Sequence, residues 1–200
     1  MVGKTVIDNP TNEDVYKISQ NLASNSEDYF LAMSEGRIDD TGIRRLSEAL
    51  LTNTNLKLLD LAKNQITDVG VKYLADVLTK NTTLLFLSIS GNMGITNEGC
   101  EHLSEMLKKN TTLKVLDFSH NRITNIDPVL AALEVNKTVE MVKMRYINVK
   151  DVDELEDRYE ERIRLRPLNM KTLWTEVFEE NKILNGLIWP QDDIVYTSDY

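Results

Sequence analysis

An eleven-residue pattern returns along this chain about every 28 positions, and it limits the fold more than any other feature of the sequence. Leu56, Leu59, Leu61, Asn64 and Ile66 set out its most regular copy, L-x-x-L-x-L-x-x-N-x-I. Leu84, Leu87, Ile89 and Asn92 repeat it, with Ile95 displaced by one extra residue within Gly91–Gly94. Leu113, Leu116, Phe118, Asn121 and Ile123 restore the first spacing. Val139, Val142 and Met144 keep the apolar positions, with Ile147 where asparagine is due, and Asp28, Leu31, Met33, Gly36 and Ile38 form a degraded copy at the other end.

The intervening segments repeat as well, now with helical spacing. Ile43, Leu46 and Leu50 correspond to Val71, Leu74 and Leu78, to Cys100, Leu103 and Leu107, and earlier to Val15, Ile18 and Leu22. Apolar residues at i, i+3 and i+7 share one helical face. Each unit therefore reads as a short strand, a turn and a helix. Gly42, Gly70 and Gly99 stand at one fixed phase before these apolar positions, where a sharp backbone turn is expected. Asn125 and Asp127, with Pro128 behind them, suit the start of a shortened last helix.

One such unit cannot bury its own apolar face, whereas stacked units share a continuous core. The expected fold is an α/β solenoid with about five parallel strands on the concave side and helices on the convex side. Residues 1–27 form an N-terminal capping helix, 28–150 the repeats, and 151–200 an acidic C-terminal capping helix and arm. The spacing and the recurrent N-T-T-L or N-T-N-L endings at Asn53, Asn81 and Asn110 resemble the ribonuclease-inhibitor type of leucine-rich repeat. The likeness covers about residues 12–147. It implies that Asn64, Asn92 and Asn121 bond to backbone groups of the adjoining loop, a ladder that ends at Gly36 and Ile147.

The chemistry-bearing residues are few. Cys100 aligns with Ile43 and Val71 on the apolar helix face, so it is read as a small hydrophobe rather than a nucleophile. The single cysteine and two histidines assemble no metal cluster, and His102 and His120 fall on opposite sides of a solenoid, unfit to act as an acid–base pair. No catalytic residue, metal or cofactor is expected. Three tripeptides beginning at Asn81, Asn110 and Asn136 match the glycosylation pattern, but the repeat itself explains them. A net charge of −9 opposes broad affinity for nucleic acid or anionic membranes. The opening residues lack the apolar stretch of a signal peptide, so the expectation is a cytoplasmic protein.

Side chains between the consensus leucines face the concave side. At the third position stand Phe30, Leu58, Phe86, Val115 and Met141, an apolar stripe across the strands. At the fifth stand Ala32, Asp60, Ser88, Asp117 and Lys143, with Asp60 and Asp117 forming an acidic border. Such a pattern fits a partner-binding groove with an apolar centre and a polar rim. It equally fits a stripe covered from within, by neighbouring turns or by the C-terminal segment.

Residues 151–200 carry 13 acidic and 6 basic side chains. Val152, Leu155, Tyr159 and Ile163 give one narrow helical face suited to closing the end of a solenoid, with Arg162, Arg164 and Arg166 complementing the helix dipole. Beyond Pro167, Leu173, Trp174, Val177, Phe178 and Trp189 form an aromatic arm able to clamp a partner or fold back, and Ile194, Val195 and Tyr196 offer a short docking motif. These readings converge on a non-enzymatic scaffold that binds a protein partner through the concave stripe and through Trp174, Phe178, Trp189 and Tyr196. The repeats also resemble the C-terminal domain of tropomodulins, which cap actin filaments, and repeats of ciliary proteins. That resemblance implies the alternative of a structural subunit in a cytoskeletal, actin or axonemal assembly, although the long N-terminal extension of tropomodulins has no counterpart here. A further resemblance, to Ran GTPase-activating proteins, implies regulation of a small GTPase as the third reading.

Overall fold

The computed structural model describes residues 3–24 and 28–144. Its elements run β1 (Gly3–Val6), α1 (Asn12–Ala23), β2 (Asp28–Ala32), α2 (Asp40–Leu50), β3 (Leu58–Asp60), α3 (Asp68–Leu78), β4 (Phe86–Ser88), α4 (Asn97–Leu107), β5 (Val115–Asp117), α5 (Asp127–Val135) and β6 (Met141–Lys143). The described strands form one parallel sheet in the order β1-β2-β3-β4-β5-β6. A helix between every pair of strands returns the chain to its starting level, so neighbouring strands point the same way. This is the solenoid that the periodicity implies.

The spacing of the apolar residues decides which face of the sheet the helices cover. Leu31, Leu59, Leu87, Leu116 and Val142 lie in the middle of their strands and pack against Ile43, Leu46, Val71, Leu74, Cys100, Leu103, Val129 and Leu133 from the helices. All of these are at most 3% exposed. Each buried leucine contributes about 1.5–3 kcal/mol relative to exposure, and because the cluster runs through every unit, adjacent repeats stabilise each other.

The sheet holds one strand more than the repeat pattern signals. β1 precedes α1 within the segment read as a capping helix, and it pairs with β2 at Lys4↔Phe30, Thr5↔Leu31 and Val6↔Ala32. Its sequence, Gly-Lys-Thr-Val, lacks the leucine spacing, so only its partner strand identifies it. α1 starts independently of any earlier unit, because the Asp14 carboxylate accepts from both the backbone N–H (3.0 Å) and the hydroxyl (2.7 Å) of Thr11. Those bonds hold the Asp14 carboxyl below its ordinary pKa.

Three polar ladders stitch the units together. In the first, Asn64 accepts from the Ile38 N–H (3.0 Å) and donates to the Met33 carbonyl (2.7 Å). Asn92 accepts from the N–H groups of Asn64 and Ile66, and Asn121 from the N–H of Asn92. The side chains expected to bind loop backbone do so, between units as well as within them.

The second ladder uses the asparagines of the N-T-T-L endings. Asn53, Asn81, Asn110 and Asn136 donate to the carbonyls of Leu22, Leu50, Leu78 and Leu107, the last turns of the preceding helices. Each also accepts from backbone N–H groups just ahead, as Asn81 does from Thr83 and Leu84. The asparagines of the glycosylation-like tripeptides are therefore buried and fully engaged in the folded chain.

The third ladder corrects the reading of the glycines. Gly42, Gly70 and Gly99 lie inside the first turns of α2, α3 and α4, and among the described glycines only Gly91 has a positive φ, at 69°. Their role is close approach. The first residue of each helix reaches the start of the next: Asp40 accepts from the N–H of Thr67 (2.9 Å) and Gly70 (3.0 Å), and Asp68 from that of Thr96 (2.7 Å) and Gly99 (2.8 Å). A Cβ on Gly99 would lie 2.6 Å from the Asp68 Oδ1, and one on Gly70 would collide with the Asp40 carboxylate.

Candidate protein-binding face

The sheet's other face carries no described helix. Its rows follow from strand alternation, since neighbours in sequence point to opposite faces. Phe30↔Leu58↔Phe86↔Val115↔Met141 are paired strand by strand, and so are Ala32↔Asp60↔Ser88↔Asp117↔Lys143. The structure thus brings the five apolar residues into one row, with Asp60 and Asp117 in the row beside it. Lys4, which nothing in the repeat pattern indicates, adds a cation 5.4 Å from the centre of the Phe30 ring at one end.

The apolar row is withdrawn from solvent. Phe30, Leu58 and Val115 are 1–2% exposed and Phe86 9%, while Met141 is half-buried. Yet none of the first four belongs to the cluster that packs the sheet against the helices. They form a second apolar layer on the opposite face.

Asp60 and Asp117 are half-buried, with Ser88 between them in the row. The Asp60 carboxylate accepts from the Ala62 N–H at 3.0 Å, and Asp117 from the Ser119 N–H at 3.0 Å. Burial pushes the Asp60 carboxyl above its ordinary pKa and the Asp117 charge adds to this, against the hydrogen bonds from Ala62, Ser88 and Ser34. A raised folded-state pKa means that the ionised form is penalised in the fold. The contribution to stability is complete below the unfolded pKa and is lost as pH rises through the folded one. Asp60→Asn is accordingly expected to raise the urea midpoint at pH 7, with the difference vanishing near pH 3. An unchanged midpoint at pH 7 would show that the acid costs the fold nothing.

The other singled-out residues lie elsewhere. Cys100 is fully buried in the helix layer, and burial pushes its thiol up to about 12. It is expected to resist iodoacetamide at pH 8 in the native protein and to react on unfolding; rapid native labelling would contradict its packing. His102 sits on α4, 3.9 Å from Glu98, and His120 is exposed in the turn after β5 with φ 56°. Glu35, Lys63 and Gly91 take the same left-handed conformation at equivalent positions, so His120 occupies a recurrent turn site. Among the described residues no group of three or more His, Cys, Asp or Glu is placed to hold a metal ion, and no helix is long and apolar enough to cross a membrane. Trp174, Phe178, Trp189 and Tyr196, together with the expected C-terminal cap, lie outside the described residues.

The ladders, the parallel sheet and the buried leucine positions together define a leucine-rich-repeat protein. A family model described as a leucine-rich repeat matches residues 52–75, 80–104 and 109–126. No curated protein matches the sequence. Among solved structures, the fold is similar to that of leiomodin-1 actin-binding site 2, with a TM-score of 0.69 and 21% identity over 86% of this chain and 96% of that one. It is also similar to the tropomodulin C-terminal domain of Caenorhabditis elegans, with a TM-score of 0.59 and 18% identity over 82% of this chain and 97% of that one. At these identities the likeness is one of fold.

Proposed function

We propose that this chain is a non-enzymatic protein-binding module whose partner contacts the face of the sheet that carries no described helix. The observation that carries this reading is the pair of aligned rows, one apolar and one that holds Asp60 and Asp117. An apolar centre with a charged border is the anatomy of a protein interface. The aromatic arm around Trp174, Phe178, Trp189 and Tyr196 supplies further anchoring side chains in this reading.

Actin is the first partner to test, and a cytoskeleton-associated place in the cytoplasm is the corresponding location. Support comes from leiomodin-1, in which a domain of the same fold is an actin-binding site. Co-sedimentation with filamentous actin, alongside a monomer-binding assay, is the direct measurement. Binding weakened about tenfold by Asp117→Lys, with the circular dichroism spectrum unchanged, would place the contact on this face. Binding indifferent to Asp117→Lys and to Asp60→Lys would remove the face from the interface. If neither form of actin binds, the actin assignment fails, and affinity capture with the intact chain becomes the test of the broader reading.

A further inference from the structure

We propose that the rim of the solenoid where helices end and strands begin binds an acidic segment of a protein partner. Because the strands are parallel, these connections lie at one end of the sheet, as residues 51–57, 79–85, 108–114 and 136–140. They carry six lysines, Lys57, Lys80, Lys108, Lys109, Lys114 and Lys137, against a single acid, Glu140. The connections at the opposite end, 33–39, 61–67, 89–96 and 118–126, hold Arg37, Lys63 and Arg122 against Glu35 and Asp39. The helices that follow them open with Asp40, Asp68, Glu98 and Asp127 in their first turns. A chain of net charge −9 thus carries a cationic strip along one rim.

The fold does not consume this charge. Among the described residues Lys114 pairs with Glu140 (2.9 Å) and Lys108 with Glu105 (2.6 Å), and Lys137 donates to the Glu134 carbonyl at 2.6 Å, whereas Lys57, Lys80 and Lys109 make no ion pair. Cations near helix C-termini ordinarily offset the helix dipole. Here Asn81 and Asn110 already donate to the carbonyls of Leu50 and Leu78 at helix ends, and no basic residue falls in the last turn of α2, α3 or α4. Lys80 and Lys109 are exposed, and so are Thr82 and Thr111 two residues after each, with hydroxyls able to donate. Successive units are separated by about 4.8 Å at the strands and about 8–10 Å at the helices. Carboxylates on one face of an extended chain recur about every 6.7 Å, within that interval, so one acid can meet each unit. A polypeptide fits better than a nucleic acid. The rim's cations are all lysines, no arginine fork or aromatic ring stands in these connections, and the net charge opposes a dense phosphate backbone. The rim shares no residue with the two rows on the sheet face.

Fluorescence anisotropy of a labelled oligoglutamate peptide of about ten residues, titrated with the full-length chain at low ionic strength, is the direct test. Binding is expected, and it should weaken as salt is added. Lys80→Glu with Lys109→Glu is expected to weaken it by about tenfold or more, with the circular dichroism spectrum unchanged. Lys17→Glu with Lys72→Glu changes the net charge equally but at exposed positions on α1 and α3, and should leave binding within about twofold. Absence of binding overturns the proposal. So does an equal loss in both pairs, which reduces the attraction to net charge alone. Tighter binding of a thymidine oligonucleotide of the same length, or of phosphatidylserine vesicles, also overturns it by assigning the rim to phosphate. Should the double charge reversal disturb the fold, Lys80→Gln with Lys109→Gln removes charge without adding any and is expected to weaken binding by about fivefold. Unchanged binding in that variant counts against the rim as firmly as no binding at all.

Discussion

Asn92→Ala is expected to destabilise the protein by about 3–5 kcal/mol, a large part of the whole stability of a chain this size. Asn92 is fully buried, and its amide ties its own unit to the preceding one. Its Oδ1 accepts from the backbone N–H of Asn64 and Ile66 at 3.1 Å, and its Nδ2 donates to the carbonyls of Leu61 (3.1 Å) and Ile89 (2.9 Å). Alanine would strand two buried N–H groups in the preceding unit as well as carbonyls in both. Every stranded group costs about 1–3 kcal/mol, because no water reaches it. Urea denaturation followed by circular dichroism measures the effect. A loss below about 1 kcal/mol would mean that the loops re-pair without the ladder.

Gly70→Ala is expected to cost about 3 kcal/mol, although glycine to alanine inside a helix ordinarily gains about 1. The sign reverses because the new methyl group would enter the Asp40 carboxylate and come within 2.7 Å of the Ile66 Cγ2. Asp40 would have to withdraw, giving up its bonds to the Thr67 N–H, the Thr67 hydroxyl (2.6 Å) and the Gly70 N–H. A double-mutant cycle separates this account from a simple steric one. In an Asp40→Ala background most of the Gly70→Ala penalty should vanish, leaving the part due to the Ile66 methyl. Equal penalties in both backgrounds would show that the carboxylate is not the obstacle.

These two residues differ in how far their roles can be read from the chain. The role of Asn92 was legible because its position recurs in every regular unit and because the resemblance of the repeats supplies its partners. That of Gly70 was only half legible. Its fixed phase was plain, but a glycine needed for a turn and a glycine needed for close approach look alike until the neighbouring helix is in place. The asparagines at 53, 81, 110 and 136 were visible as a motif without a purpose, since their acceptors lie 29 to 32 residues earlier in the chain. β1 gave no signal at all. A four-residue edge strand owes its conformation to the strand beside it rather than to any pattern of its own.

The face followed the same division. Alternation along a strand is local, so spacing alone assigns Phe30, Leu58, Phe86, Val115 and Met141 to one row, and Asp60 and Asp117 to the next. Whether that row meets water depends on what lies above it, and the pKa of Asp60 depends on burial and on a second acid two strands away.

By itself the sequence determined the repeat, the parallel order of its strands and the leucines of its core, because hydrophobic spacing is written within a few consecutive residues. The tertiary structure alone decided how one unit caps the next, why glycine is required at the helix starts and how deeply the apolar row is buried. Those properties arise between groups some thirty residues apart, where no local period records the distance.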